Sequence, residues 1–255
     1  MPRPARSAPP SFSREAPQPL PLWAAACFLA SGAAGLLYEV VWSKQLTYLL
    51  GNTLHSVATV VAAFLAGLAL GAYVLGARLA GKRGGVRAYV ALELGIALLG
   101  LVSMPALRGL DPVVGLLYRA CGGETGGFAL LRLVLLFVLL LPPTVLMGAT
   151  LPVLVGHFEH RRVGPQLARL YAINTLGAVA GSVLGGFVLL PGVGLTATTW
   201  VAAALNLGAA WLAWAVARGA PAAAPAVAAP PAESAPGPPL LAPGLVTVLL
   251  FTLVA

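Results

Sequence analysis

The chain has 255 residues, of which 59% are hydrophobic and only 9% are charged, and its formal net charge is +8. Soluble domains carry about 25% charged residues. The low charged fraction and the mean hydropathy of +0.92 together exclude a soluble globular protein and predict an integral membrane protein. The basic residues are scattered among loops rather than clustered with aromatic residues. This pattern argues against nucleic acid as a partner and fits charges that orient a protein in a membrane.

Residues 1–21 are rich in proline and arginine and poor in apolar side chains. This composition predicts a disordered cytoplasmic tail. A cleavable signal peptide is the alternative, because a basic start precedes an apolar run with small residues. The apolar run continues through Trp42, however, which is longer than the apolar region of a typical signal. We therefore expect an uncleaved first helix.

A membrane-spanning helix needs about 20 mostly apolar residues. By this measure the sequence predicts an all-α, polytopic transmembrane helix bundle of six spans within residues 22–217. An Ala- and Pro-rich linker would follow at 218–243, and a seventh span, truncated at residue 255, would begin within 244–255. The ending inside an apolar run leads us to expect that the chain is part of a longer protein. The six predicted spans are 22–43, 53–79, 88–107, 128–156, 168–190 and 195–217.

The distribution of Lys and Arg predicts a cytoplasmic N-terminus, because short cytoplasmic loops carry an excess of positive charge. With this orientation four of the 15 basic residues lie outside, Lys44, Arg108, Arg119 and Arg132, and the other eleven lie inside.

The fourth predicted span contains Pro142 and Pro143 at its middle. Proline removes a backbone donor and clashes with the preceding turn, so the helix should kink or break at this point. One interpretation is a discontinuous helix that lines a site. The other is a kink that improves packing.

Glycines recur at spacings of four or near four in the second and fifth predicted spans, which predicts close helix contacts and offers faces for oligomer formation. A weak internal similarity accompanies them, since Asn52 and Asn174 each open an Asn-Thr-Leu segment followed by a small-residue helix. The two helices would run in opposite directions. Such an arrangement would be an inverted repeat of three plus three helices. The glycines are Gly67, Gly71, Gly76, Gly177, Gly181 and Gly185.

Glu39 is the first candidate for an intramembrane polar site, because an ionisable side chain within a span is costly and should face the bundle interior. Lys44 lies on another face of the helix and can reach the headgroups. The expected partners of Glu39 are Arg132 and the polar groups of Tyr38, Ser43 and Asn52. Glu39 would then be either a proton- or cation-binding carboxylate or a structural polar contact. Interhelical hydrogen bonding is the simplest interpretation of Asn174.

Other polar residues have simpler interpretations. Glu93, early in the third span, can pair with the basic loop of Lys82, Arg83 and Arg87. The run 157–162, HFEHRR, is expected to be a cytoplasmic basic loop rather than a metal site. Cys27 and Cys121 should lie toward opposite membrane faces and remain unpaired. No catalytic, cofactor-binding or metal motif is found in this sequence.

Three stretches carry a resemblance to a known family: SGAAGLLYEVVWSKQLTYLLGNTLHS with the helix after it, LMGATLPVL, and RLYAINTLGAVAGSVLGGFVLLPGVGLTAT. Over about residues 23–217 the chain resembles the N-terminal membrane domain of fused bacterial spermidine-synthase-like proteins, often described as major-facilitator-like. The family pattern marks the Tyr38–Trp42 run and the Asn174–Thr175 pair. The segment GARLAGKRGG is similar to a major-facilitator loop signature but lacks its usual aspartate, with Ala80 and Gly81 in that region.

This resemblance implies a soluble aminopropyltransferase-type domain beyond residue 255, with a Rossmann-like fold and with decarboxylated S-adenosylmethionine and a diamine as substrates. The resemblance also implies a bacterial inner membrane as the location, where the present chain would anchor that domain and could couple transport to it. Two alternatives stay open, a stand-alone transporter-like bundle for a polyamine or other small cation, and a purely structural membrane anchor. Whether the chain is part of an enzyme depends on the domain that it lacks.

Overall fold

The computed structural model describes residues 20–51, 53–79, 85–123, 125–158 and 163–219, and their regular elements are all helical. The predicted all-α class is therefore confirmed. Outside the described residues lie Asn52, residues 80–84, the basic run 159–162, the tail up to residue 19, the predicted linker from residue 220 and the predicted seventh span, whereas residues 218 and 219 belong to the last helix. The helices are α1 (Leu22–Leu50), α2 (Thr53–Leu70), α3 (Ala77–Leu79), α4 (Gly85–Arg108), α5 (Asp111–Ala120), α6 (Gly126–Phe158), α7 (Val163–Leu184) and α8 (Leu190–Gly219).

Two π-helical turns interrupt the regular helices, at Gly71–Gly76 between α2 and α3 and at Gly185–Leu189 between α7 and α8. Five stretches of the described residues are long and apolar enough to cross a membrane. The last of them, Leu167–Gly219, has 53 residues and bends at Gly194, whose φ of 78° and ψ of 178° are not helical. Only a glycine adopts such a conformation readily.

The helices on either side of Gly194 run in opposite directions. Along α1, Leu29 lies against Gly177 and Leu37 against Gly185, so α1 and α7 are parallel. Cys27, near the start of α1, donates a hydrogen bond from Sγ to the carbonyl of Ala209, 3.4 Å away, late in α8. The middle of α1 packs instead near Ala202, so α8 is antiparallel to α1. The chain thus reverses at Gly194.

The same reasoning orders the remaining long helices. Contacts of Tyr38 with Gly100 and of Trp42 with Ser103 make α4 parallel to α1. Contacts between α2 and α6 advance together along both helices, so these two helices are parallel to each other. Gly85 lies against His157 and Gly95 against Leu146, which makes α6 antiparallel to α4. Direction therefore alternates through α1, α2, α4, α6, α7 and α8.

Two helix pairs approach at backbone distance. In α7, a Cβ on Gly177 or Gly181 would overlap the backbone carbonyl of Leu29 or Ala33 in α1. Between α2 and α6, a Cβ on Gly71 would overlap the backbone carbonyl of Val145. Small residues permit such approach in membrane helices, where association depends on packing. The glycine rows predicted as contact faces are thus occupied by helices of the same chain.

The contacts have the pattern of an inverted repeat. The first half of the bundle is α1, α2 and α4, and the second half is α6, α7 and α8. When each helix is replaced by its counterpart in the other half (α1 by α6, α2 by α7, α4 by α8), the pair α1–α7 becomes α6–α2 and the pair α1–α8 becomes α6–α4. Both resulting pairs are also observed, and the pair α4–α8 maps onto itself. The glycine contacts obey the same exchange. Gly32 of α1 lies against the backbone carbonyl of Asn174 in α7. In the equivalent pair, Gly148 of α6 lies against the backbone carbonyl of Leu68 in α2. Asn174 therefore corresponds to Leu68, and the register suggested by Asn52 is wrong.

Pro142 and Pro143 lie inside α6, which is one continuous helix. The discontinuous helix, one of the two interpretations, is therefore not found, and the kink stays a prediction. Just after the prolines, the Thr144 hydroxyl has three carbonyl oxygens within 3.3 Å, those of Ala63 in α2 and of Leu140 and Leu141 in its own helix. This buried hydroxyl links α6 to α2 at the middle of both helices. The ten-residue helix α5, too short to span a bilayer, was not predicted.

Substitution of Gly177 by alanine tests the close approach of α7 to α1. The added methyl group meets backbone atoms, which cannot move aside as a flexible side chain can, so we expect a loss of about 1–3 kcal/mol in the free energy of unfolding. Gly208→Ala in α8 is the matched control, because nothing lies within 4 Å of the added atom. Thermal unfolding of the purified protein in detergent measures both. Equal stability of the two variants would contradict the proposed contact.

Candidate functional site

The Tyr38–Trp42 run binds α1 to α4 through one aromatic pair. The two rings stack with centroids 5.5 Å apart and planes inclined by 17°, and both side chains are fully buried. The indole Nε1 of Trp42 donates a hydrogen bond of 2.8 Å to Ser103 Oγ, which in turn donates to the carbonyl of Gly100 at 2.6 Å. Gly100 lies directly against the Tyr38 ring, where a Cβ would not fit.

Glu39 is not the centre of a polar cluster. Its side chain is half-buried, and the described part of the chain provides it with neither a hydrogen bond nor an ion pair. Its expected partner Arg132 instead places its guanidinium 5.0 Å from the centroid of the Phe128 ring. Arg132 and His55 also line a cavity of about 240 Å³. The expected pairing of Glu39 with Arg132 is therefore not found.

Asn174 likewise does not join Glu39. Its backbone carbonyl and side-chain oxygen lie against Gly32 of α1, so it contributes to the close contact of α1 with α7. Of the residues proposed for the polar site, Tyr38 alone is fully buried among those described, and its hydroxyl has no hydrogen-bond partner there. Asn52 lies outside the described residues. The structure does not assemble the five into one site.

Among the residues that the structure describes, the buried carboxyl group is that of Glu93. It is 0% exposed and lies eight residues into α4, about 12 Å along the helix at 1.5 Å per residue. The pairing expected with the basic loop is wrong, because the Glu93 side chain points inward to α8. There the amide Nδ2 of Asn206, itself 1% exposed, donates a hydrogen bond of 2.6 Å to Glu93 Oε2.

Three helices surround this carboxyl group. The hydroxyls of Ser31 on α1 and Tyr89 on α4 face it, and the Cys27 thiol and the Tyr38 hydroxyl are further neighbours from α1. Four buried polar atoms of this cluster make no hydrogen bond of good geometry within the described part of the chain, although Ser31 and Tyr89 lie within reach of the carboxyl group. They are Glu93 Oε1, Asn206 Oδ1, Tyr89 Oη and Tyr38 Oη.

This cluster consists of one carboxyl group among neutral polar groups. It offers oxygen atoms but no cationic side chain, and its carboxyl group is sealed from lipid and water. Within the described ranges no three His, Cys, Asp or Glu residues come together as ligands for a metal ion. Both cysteines are free thiols, as predicted.

A sequence signal for this site existed. Glu93 and Asn206 are the only carboxyl and carboxamide side chains in the predicted spans 88–107 and 195–217. Polar side chains in such runs are expensive and usually pair with each other. The proximity of Glu93 to a basic loop in sequence favoured the wrong partner, since the facing direction of a helical residue depends on the packing of the bundle.

No protein-family model matches the chain, and no solved structure matches it. Three curated relatives are polyamine aminopropyltransferases. Polyamine aminopropyltransferase 1 of Ralstonia nicotianae is 30% identical over 213 residues, 81% of this chain and 37% of the relative. The Mycobacterium tuberculosis protein is 29% identical over 72% of this chain and 34% of its own length. That of Corynebacterium efficiens is 30% identical over 70% and 32%. The chain thus spans about a third of the length of these relatives.

A double-mutant cycle tests the contact between α4 and α8. Asn206→Leu leaves Glu93 Oε2 without its donor, and an unpaired buried polar group costs about 1–3 kcal/mol. Glu93→Leu should cost a similar amount, and the double variant should lose less than the sum of the two. Thermal unfolding of the four proteins in detergent gives the coupling. Strictly additive losses would show that the two side chains do not interact.

Proposed function

We propose that this chain, which is homologous to polyamine aminopropyltransferases over most of its length, is the integral membrane portion of a protein of that kind. The homology combined with five stretches that are apolar enough to cross a membrane carries the proposal. Its role is to hold an aminopropyltransferase-type domain at the membrane surface. That domain, which the resemblance implies, uses decarboxylated S-adenosylmethionine and a diamine such as putrescine.

The proposed topology has six crossings with the N-terminus in the cytoplasm of a bacterial cell. The alternating directions of the six long helices support this number, because α7 and α8 each have the length of a separate span and reverse at Gly194. The excess of Lys and Arg on one side supports the orientation. On this arrangement the turn after α5 faces the outside, and the start of α4 faces the cytoplasm.

Cys121, in the turn after α5, tests the orientation. It is partly exposed, so a membrane-impermeant thiol reagent added to intact cells should label it, while buried Cys27 should not react. Cys121→Ser should abolish the labelling. A matched variant carries Arg87→Cys on that background, at an exposed position near the start of α4, and should react only after the cells are opened. Labelling of position 87 in intact cells would invert the topology.

Transport of a polyamine or another small cation is the second candidate function. The inverted arrangement favours it, because many secondary transporters are built from such repeats, with binding sites near the middle of the membrane. Glu93 of α4 contacts Asn206 of α8, and so it lies between the half formed by α1, α2 and α4 and the half formed by α6, α7 and α8. A purely structural anchor would need neither feature.

Uptake of labelled spermidine into vesicles that contain the purified protein separates these functions. For a transporter we expect accumulation above that of empty vesicles, at least tenfold lower initial rates with Glu93→Gln, and unchanged rates with Glu39→Gln. The expectation follows from the burial of Glu93 and the partial exposure of Glu39. Absence of uptake by the wild-type protein would remove transport of this substrate and leave the anchor.

A further inference from the structure

We propose that Glu93 and Asn206 form a proton-binding site in the interior of the bundle. In this site Glu93 is a neutral carboxylic acid, and two hydrogen bonds join it to the Asn206 carboxamide in a ring. One of the two bonds is present as the 2.6 Å contact from Asn206 Nδ2 to Glu93 Oε2. The other runs from a proton on Glu93 Oε1 to Asn206 Oδ1.

The unpaired atoms are the first support for this ring. Glu93 Oε1 and Asn206 Oδ1 are the remaining polar atoms of the two side chains. Both are buried and make no hydrogen bond of good geometry in the described part of the chain, although the hydroxyls of Ser31 and Tyr89 lie close to the carboxyl group. Buried polar groups are normally hydrogen-bonded, so each such atom calls for an explanation. One proton on Oε1 gives both oxygens a partner. This proton comes from water, and its uptake makes the carboxylate neutral.

The charges around the site are the second support. An ionised carboxylate in an apolar interior needs a compensating charge, and without one it takes up a proton. The titratable groups that face Glu93 are the Cys27 thiol and Tyr38 hydroxyl from α1 and the Tyr89 hydroxyl from α4. All three are weak acids and can supply no positive charge. From α8 the partner is the uncharged Asn206.

A metal ion fits the site less well than a proton. Hard cations such as Ca²⁺ and Mg²⁺ take six or more oxygen ligands, several of them carboxylates or waters. Here a single carboxyl group is available, and Glu93 and Asn206 are 0% and 1% exposed. A proton needs only the two oxygens that lack partners.

The position of the ring links the proton to the architecture. The helices α4 and α8 are counterparts in the two halves of the bundle, so their contact joins the halves. Glu93 belongs to the first half and Asn206 to the second. A displacement of one half against the other would separate the two groups and favour release of the proton. The site goes beyond anchoring, since an anchor alone does not need it.

Infrared spectroscopy of the full-length protein in lipid tests the proposal directly. At neutral pH the wild-type protein should show the carbonyl stretching band of a protonated carboxylic acid. The band should be absent from Glu93→Gln and retained by Glu39→Gln, the matched control. Glutamine can form both hydrogen bonds with Asn206, so this variant should fold. Absence of the band from the wild-type protein, or its persistence in Glu93→Gln, would overturn the proposal.

Two further measurements test the site without relying only on the folding of Glu93→Gln. In Asn206→Leu the band should persist but move to higher frequency, because the acid loses its hydrogen bonds to the amide; an unmoved band would contradict the ring.

The melting temperature of the wild-type protein should fall as the pH rises above neutral, because the folded state retains a proton that the unfolded state releases. Glu93→Gln should lack this component, and an identical pH profile would also count against the site. These readouts need neither transport nor transferase activity, so failure of the proposed function would leave them interpretable.

Discussion

The backbone contact between glycines and opposing carbonyls is the constraint on which the rest of the bundle depends. Lipid is as apolar as a leucine side chain, so burial alone gives membrane helices little reason to associate, and close packing must hold them together. Gly177 and Gly181 bring α7 onto α1, and Gly67 and Gly71 bring α2 onto α6. These two pairs flank α4 and α8, which pack against each other and against the flanking helices. Each pair therefore joins one helix of the first half (α1, α2, α4) to one helix of the second half (α6, α7, α8).

The polar interior follows from this packing. Tyr38 and Trp42 fix α1 on α4 through stacking and the bond to Ser103, so that Ser31, one turn away from Cys27 on the same helix, faces the carboxyl group of Glu93. Asn206 reaches the same carboxyl group from α8. Three helices thus contribute to a polar cluster that no single helix could form. Glu39, next to Tyr38 in sequence, lies on a different face of α1 and takes no part in the cluster.

The long helices could be predicted because the length of an apolar run is a direct consequence of bilayer thickness. The spacing of the glycines likewise predicted close helix contacts. The partner of Glu93 could not be predicted in this way, because nearness in sequence to Arg87 competes with a contact more than a hundred residues away. The register of the repeat was missed for a related reason. Asn-Thr-Leu occurs twice in the sequence, yet the backbone contacts relate Asn174 to Leu68, which no common motif marks. The prolines at 142 and 143 also allowed a break, whereas α6 is continuous there and the next residue, Thr144, contacts the Ala63 carbonyl of α2.

The first π-helical turn has a consequence for how sequences of this kind should be compared. Gly67 and Gly71 are four residues apart, whereas Gly76 follows Gly71 by five, yet all three face α6, the last of them against Pro152. In a regular helix a five-residue step would turn the third glycine away from that face, but a π turn absorbs one additional residue. The segment is therefore equivalent to a regular helix with a single-residue insertion. A homologue that lacks one residue there could keep the same glycine face, and an alignment of the two needs a gap inside the helix rather than in a loop.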